Sequence, residues 1–157
     1  MASEHIKRAS NAASGAPIRI ATQAHYHRQT PQASDSLGTR TWITRAANFV
    51  VAISEVVPGS TLVRDDNPDE SMLVLSPGVA ATVEANHERA VSSGDALFIL
   101  PPGKSKVTAT ATGVIARIFS NRAADLCAQA DNASKYNLIS NETPPPSAGA
   151  NRSRRRW

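Results

Sequence analysis

The feature that most restricts this chain is the spacing of its turns between residues 55 and 119. Short apolar runs at 72–75 (MLVL), 97–100 (LFIL) and 114–119 (VIARIF) are separated by Pro58-Gly59, Ser76-Pro77-Gly78, Ser93-Gly94-Asp95 and Pro101-Pro102-Gly103. Proline removes a backbone donor and glycine supplies the positive φ of tight reversals, so each cluster ends an element. The intervals suit strands of about five residues and leave no room for an ordinary helix. Such strands must bury a shared face, which an all-β sandwich or barrel achieves.

The flanking sequence extends this pattern. Residues 41–44 (TWIT) and 49–57 (FVVAISEVV) are rich in β-branched side chains and predict strands, joined through Ala46, Ala47 and Asn48. Residues 79–85 and 88–92 flank Asn86-His87, which reads as a hairpin tip with His87 exposed. With 96–100, 105–111 and 113–119, and with PIRIAT at 17–22 as a first edge strand, the count reaches eight to ten. Ser120 or Asn121 is placed to cap a short helix through Ala130, its buried side formed by Ala124, Leu126 and Cys127. Cys127 there reads as a small buried hydrophobe, since no neighbour in sequence would lower its pKa. The predicted organisation is a flexible arm at 1–24, a barrel with its helix at 25–130, and a disordered Pro/Arg-rich tail at 131–157.

The order of the turns resembles the two-motif signature of the cupin family, G-x5-H-x-H-x3-4-E-x6-G followed by G-x5-P-x-G-x2-H-x3-N. Gly59, Asp65, Asn67, Ser71 and Gly78 reproduce the spacing of the first motif, with each metal ligand replaced. The second begins at Gly94, gains one residue before Pro101-Pro102-Gly103, and puts Lys106 at the fourth ligand position and Thr110 at the position of Asn. The resemblance covers about 65 residues and implies an all-β, single jelly-roll barrel. It also implies a pocket lined by Arg64, Asp65, Asn67, Ser71, Lys106 and Thr110. An ammonium has no lone pair to give a cation, so the expectation is a site without metal or other cofactor. His25-x-His27, read as a strand, would set two imidazoles on one face, which is too few for a metal centre.

Charge excludes one class of function. The chain carries 17 Lys and Arg against 13 Asp and Glu. Arg152, Arg154, Arg155 and Arg156 oppose only Glu142 at the C-terminal end, and Lys7, Arg8 and Arg19 oppose Glu4 at the N-terminal end. Residues 25–141 therefore hold ten basic and eleven acidic side chains, a net charge of −1 that gives no phosphate-tracking face. No nucleic-acid partner is expected. Neither is a membrane, since no apolar run approaches the roughly 20 residues of a span. One cysteine precludes an intrachain disulfide, which makes a cytoplasmic home the default.

No Gly-x-Ser-x-Gly elbow and no phosphate-cradling glycine loop is present. The leading expectation is a metal-independent barrel that binds a small organic or anionic ligand, or serves as a non-catalytic subunit of a larger complex. One alternative is a cofactor-free isomerase, lyase or decarboxylase using Lys106 with Asp65. Another is a dimeric adaptor docking a protein partner through its Arg-rich tail. A homodimer is expected, formed by edge strands or by exchange of the N-terminal strand, because an unpaired strand edge invites pairing.

Overall fold

The computed structural model of the protein describes residues 23–137, which form two antiparallel sheets. Ten strands run β1 (Ala33–Ser34), β2 (Arg40–Arg45), β3 (Phe49–Val56), β4 (Thr61–Arg64), β5 (Ser71–Leu75), β6 (Ala81–Ala85), β7 (Glu88–Ser92), β8 (Ala96–Leu100), β9 (Ser105–Ala109) and β10 (Gly113–Ser120). Two short helices follow, α1 (Ala124–Gln129) and α2 (Ser134–Asn137). The larger sheet has the order β1-β2-β3-β10-β5-β8 and the smaller β4-β9-β6-β7. After the β1–β3 meander the chain crosses repeatedly between the sheets, with β6 and β7 a hairpin within the smaller one, so the strands form the two layers of a jelly roll. The candidate edge strand at 17–22 lies outside the described residues.

Alternation selects which side chains face between the sheets. On β3, Val50, Ala52, Ser54 and Val56 are buried, and on β5, Ser71, Leu73 and Leu75. The barrel interior is aliphatic where Leu73, Leu75, Ile115, Val83 and Val107 meet. A second cluster joins Ile43, Val50, Ala52 and Phe119 to Leu126, Cys127 and Ala130, and so fastens α1 to the larger sheet. Gly113 is where β10 passes over Val79, whose Cγ2 lies 2.2 Å from where a Cβ would stand. The hairpin tip forms as the sequence suggests, with Asn86 and His87 both at positive φ and His87 exposed.

Two local expectations are corrected. Residues 25–27 are not a strand but lead into a 3-10 turn at Tyr26–Arg28, closed by Arg28 N–H to His25 O and Gln29 N–H to Tyr26 O. Its cause is aromatic: Tyr26 lies 5.4 Å from Trp42, whose Nε1 donates to Gln29 O at 2.8 Å. The imidazoles of His25 and His27 are consequently exposed and 6.3 Å apart. The helix is not capped by Ser120 or Asn121 either. Its N-cap is Ala123, which is buried, whereas Ala124 is exposed. Ser120 Oγ is directed at Asp69 and at the N–H of Arg122.

Past residue 130 the chain is still tied to the barrel. Asn132 accepts from Arg45 N–H at 3.0 Å and donates to Arg45 O at 2.9 Å, acting as a strand partner for the end of β2. Arg45 also stacks on Tyr136.

Candidate functional site

The site follows from one residue on β10. Ile115 and Phe119 face the interior, and the two-residue repeat puts Arg117 between them on the same face. Its guanidinium reaches a cavity of about 320 Å³ between β2, β4 and α1. Arg64, the last residue of β4, enters the same cavity because Leu62 two residues earlier fixes its inward parity. Thr39 and Thr41 bring hydroxyls, and Asp125 and Gln129 come from α1.

The two arginines differ in their partners. Arg64 is held by Asp125 in a forked pair, Nη1 to Oδ2 at 2.5 Å and Nη2 to Oδ1 at 3.1 Å, and it also lies over Phe119. Those bonds hold the Asp125 carboxyl below the usual carboxylate range. Arg117 has no carboxylate partner among the described residues, and its Nε is buried without a hydrogen bond. Desolvation, reinforced by the neighbouring charge of Arg64, lowers its pKa to about 10. The inner hydroxyls are already paired, Thr39 with Ser60 at 2.6 Å and Thr41 with Ser54 at 2.9 Å. The cavity thus holds two guanidinium groups and two carboxylates: Asp125, bonded to Arg64, and Asp35, which is exposed and accepts from the N–H groups of Leu37 and Thr39 and not from Arg117.

The residues singled out from the sequence scatter around this cavity. Arg64 lines it. Asp65 points into solvent, where Lys104 approaches at 3.7 Å. Asn67 is buried in the segment between β4 and β5, its amide donating to Asp69 O while Oδ1 stays unpartnered. Ser71 is buried on β5. Lys106 does not point into the barrel: it lies on the outer face of β9, half exposed, and pairs across the strand with Glu84 at 3.5 Å. Thr110 is exposed past the end of β9. Arg117, Thr41 and Asp125 were not among the candidates.

No protein-family profile and no curated protein matches this chain by sequence. Solved structures do match it by shape. KdgF from Halomonas sp. aligns over 68% of this chain and 99% of its own at 14% identity, with a TM-score of 0.56. An RmlC-like cupin from Shewanella frigidimarina aligns over 66% and 96% at 15% identity, with a TM-score of 0.53. The chain has a cupin fold. A cupin superfamily protein from Desulfitobacterium hafniense matches at 6% identity, with a TM-score of 0.50 over 66% of this chain and 98% of its own.

In this cupin barrel the second motif keeps its register from Gly94, not from Pro101-Pro102-Gly103. Counting from Gly94 puts the fourth ligand position at Ser105, which is buried beside Val107 and Ala109 on the inner face of β9. Lys106, the next residue along β9, consequently points to the outer face. The residues at the four ligand positions of the cupin barrel are then Asp65, which faces solvent, and Asn67, Ser71 and Ser105, which are neutral. Among the described residues no group of three or more His, Cys, Asp or Glu is placed to hold a metal ion. With two guanidinium groups in the cavity, this donor set does not fit a divalent cation. No helix of the described residues is long and apolar enough to cross a membrane.

Proposed function

We propose that this cupin-fold chain binds a small organic monoanion, a carboxylate or a similar planar oxyanion, in the cavity between Arg117 and Arg64. The observation that carries the reading is the guanidinium of Arg117, whose buried Nε has no hydrogen-bond partner and which has no carboxylate partner among the described residues. A cation taken from water is costly unless paired, and a guanidinium is built for forked hydrogen bonds to a carboxylate. Asp125 already answers Arg64, and Asp35 at the cavity's exposed side forms no ion pair with Arg117, so a ligand carboxylate supplies the direct partner that Arg117 lacks among the described residues. Ile43, Leu62 and Leu126 offer an apolar wall to the ligand's carbon body. The lone, buried Cys127 fits a reducing, cytoplasmic compartment.

Isomerase, lyase or decarboxylase chemistry through Lys106 and Asp65 has no comparable support, because the two side chains lie at the surface in separate ion pairs. The adaptor reading rests on the tail at 142–157, outside the described residues.

A thermal-shift and calorimetric screen tests the proposal, using acetate, lactate, benzoate and succinate with acetamide as the neutral control. Carboxylates should raise the melting temperature of the wild type, acetamide should not, and Arg117→Met should abolish the response. A carboxylate response unchanged in Arg117→Met would sink the reading, as would no response to any oxyanion at millimolar concentration.

A further inference from the structure

The outer face of the larger sheet carries a second cavity, independent of the arginine-lined one. On β3 the residues that alternate with buried Val50, Ala52 and Ser54 are Val51 and Ile53, and they pair across to Thr44 and Trp42 of β2. Trp42 therefore faces outward by parity, yet it is only 4% exposed, because the 3-10 turn folds Tyr26 against it. The result is a groove of about 460 Å³ walled by Tyr26, Trp42, Phe49 and Tyr136, with Arg45 beside them at the end of β2. The Arg45 guanidinium lies 4.9 Å from the Tyr136 ring, and its Nε is buried with no hydrogen-bond partner. None of the ion pairs among the described residues includes Arg45. Aromatic walls with one such cation are complementary to a segment that offers apolar rings without N–H groups and one carboxylate.

The ends of the described chain bear on what fills the groove. Ala24 and Tyr136 both line it, each one residue inside the described stretch 23–137, so segments 1–22 and 138–157 both start beside it. The second contains the matching chemistry, Glu142-Thr143-Pro144-Pro145-Pro146. The first has no acid after Glu4 and would bring Arg19 toward Arg45.

We propose that this groove is the docking site of residues 142–146 of the same chain, with Glu142 on Arg45 and the prolines on Tyr26 and Trp42. A proline run favours the polyproline II helix and has no N–H to leave unpaired, and its rings pack on aromatic side chains. The lengths agree. Trp42 and Arg45 are three residues apart on β2, about 10 Å at the rise of a strand, and Glu142 and Pro145 are three residues apart, about 9 Å at the polyproline rise. Direction agrees as well. Tyr136 lies at the Arg45 end, and the four residues 138–141 allow up to about 14 Å for the chain to turn before it runs toward Trp42. Tethering holds the segment at an effective concentration on the order of millimolar, so contacts too weak to retain a free peptide suffice. Arg152 follows Pro146 by six residues, and docking therefore leaves the arginine-rich end outside the groove, at a fixed edge of the barrel.

A photocrosslinking benzoylphenylalanine in place of Thr143, in the full 157-residue chain, tests the proposal. Illumination should join it within one chain to Tyr26, Trp42 or Phe49, read by mass spectrometry. Glu142→Arg should cut that yield several-fold, and the added change Arg45→Glu should restore it while far-UV circular dichroism stays the same. If Arg45→Glu fails to fold, Pro144→Ser/Pro145→Ser/Pro146→Ser is read in its place and should cut the yield as Glu142→Arg does. Crosslinks between two chains would overturn the proposal, since a second copy would then fill the groove. So would crosslinks outside the groove, or a yield indifferent to Glu142→Arg. Groove crosslinks from the same probe at Ile20 and none from Thr143 would also overturn it, by assigning the groove to the N-terminal segment.

Discussion

Replacing Arg117 with methionine should make the protein more stable while abolishing its ligand response. The side chain keeps its aliphatic reach, so the space between Ile115 and Phe119 stays filled, and only the charge is lost. The magnitude follows from the lowered pKa. Burial lowers the Arg117 pKa to about 10, and a fall of that size corresponds to about 3 kcal/mol by which the folded state disfavours the charged form at neutral pH. Against this, the guanidinium lies 5.7 Å from the Phe119 ring, a cation–π contact of about 1 kcal/mol. The net expectation is a gain of about 2 kcal/mol, or roughly 5 °C in Tm for a domain of this size. The sign with pH is fixed by linkage. Because the folded pKa lies below the unfolded one, the unfolded state binds more protons above about pH 10, and wild-type stability rises with pH there. The advantage of Arg117→Met should therefore be constant from pH 6 to 9 and shrink above pH 10. Urea denaturation of both proteins across that range is the assay. A loss of about 1 kcal/mol or more in Arg117→Met at pH 7 would refute the reasoning, since the guanidinium would then have partners that repay its burial.

Three further outcomes are expected. Asp125→Asn frees Arg64 and should raise the affinity for small carboxylates several-fold by calorimetry, most of all for succinate. The stability the wild type draws from the pair is present above the ordinary carboxyl pKa near 4 and is lost as pH falls through the lower folded value, so acid melts should cost the wild type more than Asp125→Asn. Gly113→Ala sets a methyl against buried Val79 and should destabilise by about 1–3 kcal/mol in urea, part of which the added change Val79→Ala recovers. Lys106→Met removes a surface pair with Glu84 and should move stability by less than about 0.5 kcal/mol, with ligand binding unchanged.

The barrel was legible because turn chemistry is local: Gly59, Gly78, Gly94 and Gly103 all adopt the positive φ that their clusters imply. The site was less legible because it depends on parity, which a single inserted residue inverts. Aligning the second motif on Pro101-Pro102-Gly103 turned Lys106 inward, whereas the register that the barrel keeps turns Ser105 inward. Arg117 had a visible signal, a charge at the inner phase of VIARIF between Ile115 and Phe119. It fell outside both motifs and so went unweighed. Asp125 had none, since its partner Arg64 is 61 residues away in sequence. The 3-10 turn was hidden for the same reason: Tyr26 and Trp42 meet only after β2 is in place.

The burial of Trp42 under Tyr26 has an optical consequence. It is the one tryptophan among the described residues, and its ring is turned away from the arginine-lined cavity and toward the outer groove. Its emission is therefore a spectator to whatever enters the barrel and a reporter of whatever settles on the sheet outside. Trp157 also emits in the full chain, so a Trp157→Phe background isolates the Trp42 signal, which then follows the outer groove while ligand is titrated into the cavity.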